Sequence, residues 1–513
     1  MVKIEKAPAG AITSDKWNAL VNGEALSIYI ALCPDGKPYS MLPAYVQKEF
    51  DGCTYGGTTT VKTYFTSFCS NEKVKIEILC NNDASELKIK PESLNKKLEK
   101  TDNGIAFDIL PNEYVTVEKN GDIFGALHIF CNDFYKKDEN FENVIEFEKG
   151  YQTCENCSQI SVNEHNVPVI DKISDNTLIY ISDGAVVCAA IVLDGVKNVK
   201  ICGNGIISLV ERCNGSENGF AGDFFYGGRR KYALPNIFAK SGCENIEIEG
   251  VILNCEFRGI VLRNCKNVKI DKVKIFTSCV NSDAINTVNI ADVNVKNSYI
   301  QCGDDCFATF TSQDDIDTLA NNDYANPTKV SENIEIANCI LSTNCRAFMI
   351  GGHGTSDDNP HNKIQNINVH DIEIINIANN LFIDDKVHSR YWSGIFRILS
   401  QSGQHIENIR FENINVNWTK GYNGKAFHIE IRSDETASYT EKAGYRINDV
   451  KFKNICFYHC PYNIEKALIE NGITGDENAR IENISFENVK YENAASFDLY
   501  EVNGESENIE ITF

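Results

Sequence analysis

Asp283 stands in Asn281-Ser282-Asp283-Ala284-Ile285, and a second acidic corner follows in Cys302-Gly303-Asp304-Asp305-Cys306. A strand-like run separates the two, in a region that repeats at nearly the same interval. If one repeat is one coil of a solenoid, the chain returns to the same lateral position one layer up. Asp283, Asp304 and Asp305 then gather on one wall. Clustered carboxylates on a rigid wall suit acid/base cleavage of a glycosidic bond, one donating a proton to the leaving oxygen while another activates water. Strands in adjacent layers lie about 4.8 Å apart, so three such groups cannot all stay ionised, and one is driven to keep its proton. The Asp-Asp pair runs straight into Cys306-Phe307-Ala308, which reads as a buried corner rather than a solvated acidic turn.

The elements that must position these residues are visible as a recurring Asn-apolar-x-apolar segment. It opens at Asn198, Asn245, Asn267, Asp292, Asn333, Asn366, Asn408, Asp449, Asn483 and Asn508. Period-two alternation with β-branched residues predicts short half-buried strands, and self-similarity on this scale predicts stacking. The fold expected is all-β, a right-handed parallel β-helix over residues 141–513. The Asn at each strand start is expected to turn the chain and pair through its amide with its copy in the next coil. Before residue 140 the repeat stops. Longer alternating runs, Ala25–Leu32, Thr59–Phe68, Val74–Leu79, Glu113–Glu118 and Gly125–Cys131, predict an antiparallel β-sandwich over residues 1–140. The charged stretch Lys136–Asn143 marks the boundary.

Composition limits the partners. A formal charge of −23 argues against nucleic acid or an anionic membrane. The N-terminus has no apolar signal-like core, and no run is long and apolar enough to span a bilayer. With twenty cysteines this favours a reducing, cytoplasmic setting, unless a leader has been removed. Cys202, Cys243, Cys255, Cys265, Cys279, Cys302, Cys306, Cys339 and Cys345 fall in or beside the repeats and are expected as small buried thiols. Cys154 and Cys157 form the only CxxC, with no second pair at zinc-finger spacing. Neither a metal nor a cofactor is expected.

Four blocks, taken together, resemble a known family. Asn281-Ser282-Asp283, Gly303-Asp304-Asp305-Cys306, Gly352-His353-Gly354 and Arg397-Ile398 resemble, in the same order, the signature blocks of glycoside hydrolase family 28, the polygalacturonases. A sandwich followed by a β-helix resembles family 49 of the same clan, the dextranases and isopullulanases. The resemblance implies an inverting hydrolase with Asp304 as general acid and with Asp283 and Asp305 holding the attacking water. It implies that His353 helps position the carboxylates. It also implies that Arg397 acts with a Lys two residues on, but that position is Leu399.

Leu399 and the acidic balance together predict a neutral, dextran- or pullulan-like oligosaccharide or polysaccharide, with galacturonate oligomers as the alternative. Lining up the strand after each corner places Asn286, Arg397 and His428 on one ridge and sets Arg346 over Asp305, all as candidate substrate-binding residues. Trp392, beside Tyr391, and Trp418 are read either as platforms for sugar rings or as core aromatics. The basic run Arg229-Arg230-Lys231 is a further candidate subsite. A β-helical lyase or epimerase, and a non-catalytic carbohydrate-binding β-helix, are the competing classes. Fold alone does not separate them, whereas the Asp trio favours hydrolysis.

Overall fold

The computed structural model describes the chain outside residues 35–59, 81–86, 138–139, 165, 210–233, 241, 256, 278–281, 312–329, 353–361, 378–393, 401–402, 420–421, 423, 433–445, 462–463, 474–476, 494–498, 505 and 513. Among the described residues it is all-β, with one short 3-10 turn at Glu92–Leu94. A 19-stranded sheet and a 12-stranded sheet, parallel throughout except at the Ser161–Val162 strand, coil around one continuous apolar core. This is the parallel β-helix.

The Asn rows explain how the coils keep step. Each of the ten strand-opening positions, Asp292 and Asp449 included, has a positive φ near 55°. The register steps over it: Lys197 faces Glu244 and Val199 faces Ile246, leaving Asn198 and Asn245 outside the ladder. Asn tolerates this left-handed backbone because its short amide can hydrogen-bond locally. The freed amides then bond along the stack. Asn245 donates to Asn198 at 2.8 Å, Asn267 to Asn245 at 2.6 Å, Asn333 to Asp292 at 2.9 Å, Asn366 to Asn333 at 3.0 Å and Asn408 to Asn366 at 2.7 Å. A second row begins at Asp371, to which Asn413 donates at 3.1 Å, with Asn454 and Asn488 continuing it.

The 12-stranded sheet carries the acidic corners. Ile285–Val288, Phe307–Phe310, Phe348–Gly351, Phe396–Ser400 and Phe427–Ile431 are consecutive strands in it. Beneath them Phe307, Phe348, Phe396 and Phe427 stack face to face at 5.5, 5.7 and 5.1 Å. Each such ring, fully buried, contributes roughly 1.5–3 kcal/mol, and a slip by one residue would turn the row out of the core. The wall under the corners is therefore fixed in register. The expected thiol burial also holds: Cys202, Cys243, Cys255, Cys265, Cys302, Cys306, Cys339 and Cys345 are buried, while Cys279 lies outside the described residues.

The N-terminal strands form two sheets over a core that includes Val21, Ile76, Phe107, Val115, Leu127 and Ile129. One pairing departs from the expected antiparallel pattern, because Asp122–Asn132 runs parallel to Thr60–Ser70. Asp122–Asn132 returns antiparallel from Glu113–Lys119 in the same sheet, and this sets it alongside Thr60–Ser70 in the same direction. The last of these strands ends at Asn132 and the first β-helix strand is Asn143–Phe147. Tyr29, Phe65 and Phe130 pack on Phe276 and Tyr299 of the coils. Inside this junction His128 bonds through Nδ1 to the Tyr299 hydroxyl at 2.7 Å and through Nε2 to Thr63 at 2.8 Å.

Candidate active site

The backbone register at the corners stacks four charged residues in four successive coils. Gly259 N–H donates to the Asp283 carbonyl, Ala284 N–H to that of Asp305, and Cys306 N–H to that of Arg346, at 3.1, 2.9 and 3.0 Å. The column reads Arg258, Asp283, Asp305, Arg346, and all four are buried. Asp304 sits one residue before Asp305. Its carbonyl accepts bonds from the Thr343 hydroxyl and, at 3.1 Å, from the Cys302 thiol, so the corner is pinned from both sides.

The three carboxyls differ in their partners. Asp305 accepts two bonds from Arg346, Nε to Oδ1 at 2.6 Å and Nη2 to Oδ2 at 2.9 Å. Burial pushes its carboxyl well up, Arg346 opposes this, and Asp304 and Asp283 add repulsion. Both oxygens accept N–H donors of a permanent cation, the arrangement that favours the anion against this burial. Asp283 has looser contacts: on Oδ2, Asn286 donates at 2.6 Å and Arg258 Nε lies at 3.5 Å. Burial raises it to about 6, with Arg258 opposing and Asp304 adding to the rise. Asp304 has Arg346 Nη2 at 3.7 Å, and the Cys345 thiol lies within 4.8 Å of its carboxylate. Donor atoms of Asp304, Asp305 and Cys345 lie within 4.8 Å of one another, but Arg346 already occupies the place a cation would take.

The predicted ridge is present. Asn286, Ala308, Met349, Arg397 and His428 are register partners in successive coils. Its two ends do different things. Asn286 serves Asp283, whereas Arg397 lies two coils beyond Asp305, about 10 Å along the stack. Between them Val288, Ala308, Phe310, Met349 and Leu399 form an apolar cluster. Arg397 is fully buried and pairs with Glu430, to which Arg432 also donates at 3.2 Å. Burial lowers Arg397 to about 10, against the pull of Glu430, so it remains a cation at neutral pH. Burial pushes Glu430 up, but Arg397 and Arg432 more than offset this and hold it below the usual carboxylate range. His428 lies with Nε2 3.7 Å from Glu430.

Several expectations change. Trp418 is core: it is buried, packs edge-on to Tyr422 and donates to the Tyr422 carbonyl at 3.1 Å. Its ring is not a sugar platform. Trp392, His353 and the basic run 229–231 lie outside the described residues. The glycines before His353 nevertheless have a structural cause. Gly351 has φ +82°, and a Cβ there would meet the Leu399 carbonyl at 2.1 Å. Gly352 N–H donates to Gln404 at 3.2 Å. Gly351 ends the strand Phe348–Gly351, five residues on from Arg346 and roughly 16 Å away if those residues are extended. Arg346 does sit over Asp305 as predicted, but its fork grips a carboxylate, so it is not disposed as a ligand for sugar hydroxyls. Sequence reasoning missed Arg258, Cys345, Glu430 and Arg432. Arg258-Gly259-Ile260 aligns with Asp283-Ala284-Ile285 at the preceding corner, which was the signal available for the first.

Comparison with known proteins follows the same lines. The profile of glycosyl hydrolases family 28 matches residues 174–505. Probable exopolygalacturonase B of Aspergillus oryzae is 25% identical over 305 residues, and that of Aspergillus flavus 24%. Each match spans 55% of this chain and 66% of the relative, just under two thirds of its length. Among solved structures, Dex49A from Penicillium minioluteum superposes with a TM-score of 0.53 at 13% identity, over 99% of this chain and 89% of that one. That likeness concerns the fold.

Proposed function

We propose a reaction for this chain on the premise that it belongs to glycosyl hydrolases family 28: it hydrolyses galacturonate oligosaccharides, from a chain end, with inversion at the anomeric carbon. The carrying observation for the chemistry is the unequal treatment of three carboxyls at one corner. Water attacks the anomeric carbon and gives its proton to Asp283, whose Oδ1 is clear of the Asn286 and Arg258 contacts. The bond to the leaving oxygen breaks as Asp304 donates its proton there. Asp305, fixed by Arg346, supplies a constant negative charge beside the positive charge that develops at the anomeric carbon.

The names of the two Aspergillus relatives support a galacturonate substrate. So does the local charge. Arg258, Arg346, Arg397 and Arg432 each pair with a carboxylate of this wall, so the excess of acid over the whole chain is not concentrated here. A second reading, a neutral sugar, is favoured by one observation. Leu399 offers no cation, and Glu430 already takes the charge of Arg397.

The deciding experiment is a product screen on galacturonate oligomers, polygalacturonate, dextran and pullulan, with proton NMR of the first product. Galacturonate turnover at least tenfold above the neutral glucans, with the anomer opposite to the scissile bond, is expected. Faster turnover of a neutral glucan would move the assignment to the second reading. Retained configuration would overturn the direct water attack.

A further inference from the structure

We propose that Arg346 is the positioning residue of this site, doing for the carboxylates what the family resemblance assigns to His353. The proposal rests on the hydrolytic reading and deepens it. Two observations carry it. Arg346 stands in the column, one coil beyond Asp305, and fits it with two short bonds while both side chains are buried. The glycines preceding His353 sit at the opposite end of that strand and are accounted for by backbone contacts to Leu399 and Gln404.

The fork has a specific effect. Asp305 is faced by Arg346, by Asp304 and Asp283 in its own and the preceding coil, and by the Cys302 and Cys345 thiols. Among the described residues Arg346 is the cation in contact with Asp305, and the same Nη2 reaches towards Asp304 at 3.7 Å. A planar guanidinium thus sets the orientation of Asp305 and its distance from the acid in one contact, and it cannot lose its charge. An imidazole in that place would titrate within the working pH range.

The test compares Arg346→Lys, Arg346→His and Arg346→Met in the full chain. In Arg346→Met, kcat is expected to fall roughly 100-fold or more with KM little changed. The acid limb of its kcat/KM profile, set by Asp283, should move up by about one pH unit or more, because Asp283 and Asp305 both lose the field of Arg346. Arg346→Lys, keeping charge without the fork, should retain the wild-type limb and lose kcat. Arg346→His should add an ionisation near neutrality. Infrared difference spectra across the titration read the protonated carboxyl directly, and should show an added carboxyl band at neutral pH in Arg346→Met. That reading does not depend on turnover, so a wild-type chain inactive on every sugar would sink the proposed function while still testing Arg346. If Arg346→Met fails to fold, the Lys and His variants carry the comparison. An unchanged acid limb and carboxyl spectrum in Arg346→Met would overturn the proposal, as would the absence of an added ionisation in Arg346→His or a raised KM at constant kcat.

Discussion

Asp283 and Asp305 are the same chemical group one coil apart, and their neighbours divide them. Asp283, raised to about 6 by burial, must be ionised to take a proton from water. Activity should therefore fall as pH drops below about 6, seen as the acid limb of kcat/KM. Asp304→Asn removes the proton donor, and turnover should drop by roughly 10²–10⁴ while the fold, checked by circular dichroism, persists. Glu430→Gln tests the substrate. Freeing Arg397 and Arg432 for an incoming carboxylate should raise galacturonate turnover relative to neutral sugars by about tenfold, one charged hydrogen bond's worth. No change in that ratio would mean that this arginine pair does not meet the substrate. The trio was legible in the sequence because a carboxylate pair and a repeat are both local patterns. Glu430 was not, because the alignment that pairs His428 with Arg397 does not show that a side chain two residues on reaches the guanidinium. The role read for His353 lies outside the described residues, and the glycines before it carry no weight for it: glycines required by the backbone look the same as glycines that admit a ligand.

At the scale of the element, the Asn row makes a separable contribution. Asn366 holds φ +58°, donates to Asn333 and accepts from Asn408. Asn366→Ala should lose both bonds and strain the left-handed backbone, costing about 2–4 kcal/mol in urea unfolding. Asn366→Gly should cost less, because the backbone term disappears. Equal losses for the two would show that backbone strain contributes nothing here. Strand positions and this pairing were readable from alternation and from the repeated Asn. The parallel pair in the N-terminal sheets was not, since alternation identifies a strand without naming its partner or its direction. Charge at −23 says little of the site. Composition averages over the surface, whereas Arg258, Arg346 and Arg397 of the corner wall are paired and buried.

For the molecule as a whole, two buried groups pull stability in opposite directions. Burial drives His128, at the junction of the N-terminal sheets and the coils, down to about 3 from its usual 6.5. Between those values the unfolded chain binds the extra proton, so stability rises with pH by about 1.4 kcal/mol per unit. Asp283, at about 6 against a usual 3.8, holds its proton only in the folded chain over that window. Its contribution falls with pH at the same rate, by about 1.4 kcal/mol per unit. From pH 4 to 6 the two slopes cancel. Asp283→Asn should expose the His128 slope, measured as stability that climbs by about 1.4 kcal/mol per pH unit over that range. A variant whose pH dependence matches wild type would show that Asp283 titrates normally.

The Asn rows also bear on how the protein ages. Asparagine amides hydrolyse slowly to carboxylates, and here Asn245, Asn267, Asn333, Asn366 and Asn408 each bond to the rung below. The rows already hold single anionic rungs, Asp292 and Asp371, each receiving a bond from the Asn in the next coil. One conversion therefore produces an arrangement the fold already contains. A second conversion beside it would set two charges about 4.8 Å apart with no donor between them, at roughly 1–4 kcal/mol depending on exposure. Stored protein should accordingly tolerate isolated one-dalton gains along the rows and lose cohesion once neighbouring rungs are both converted.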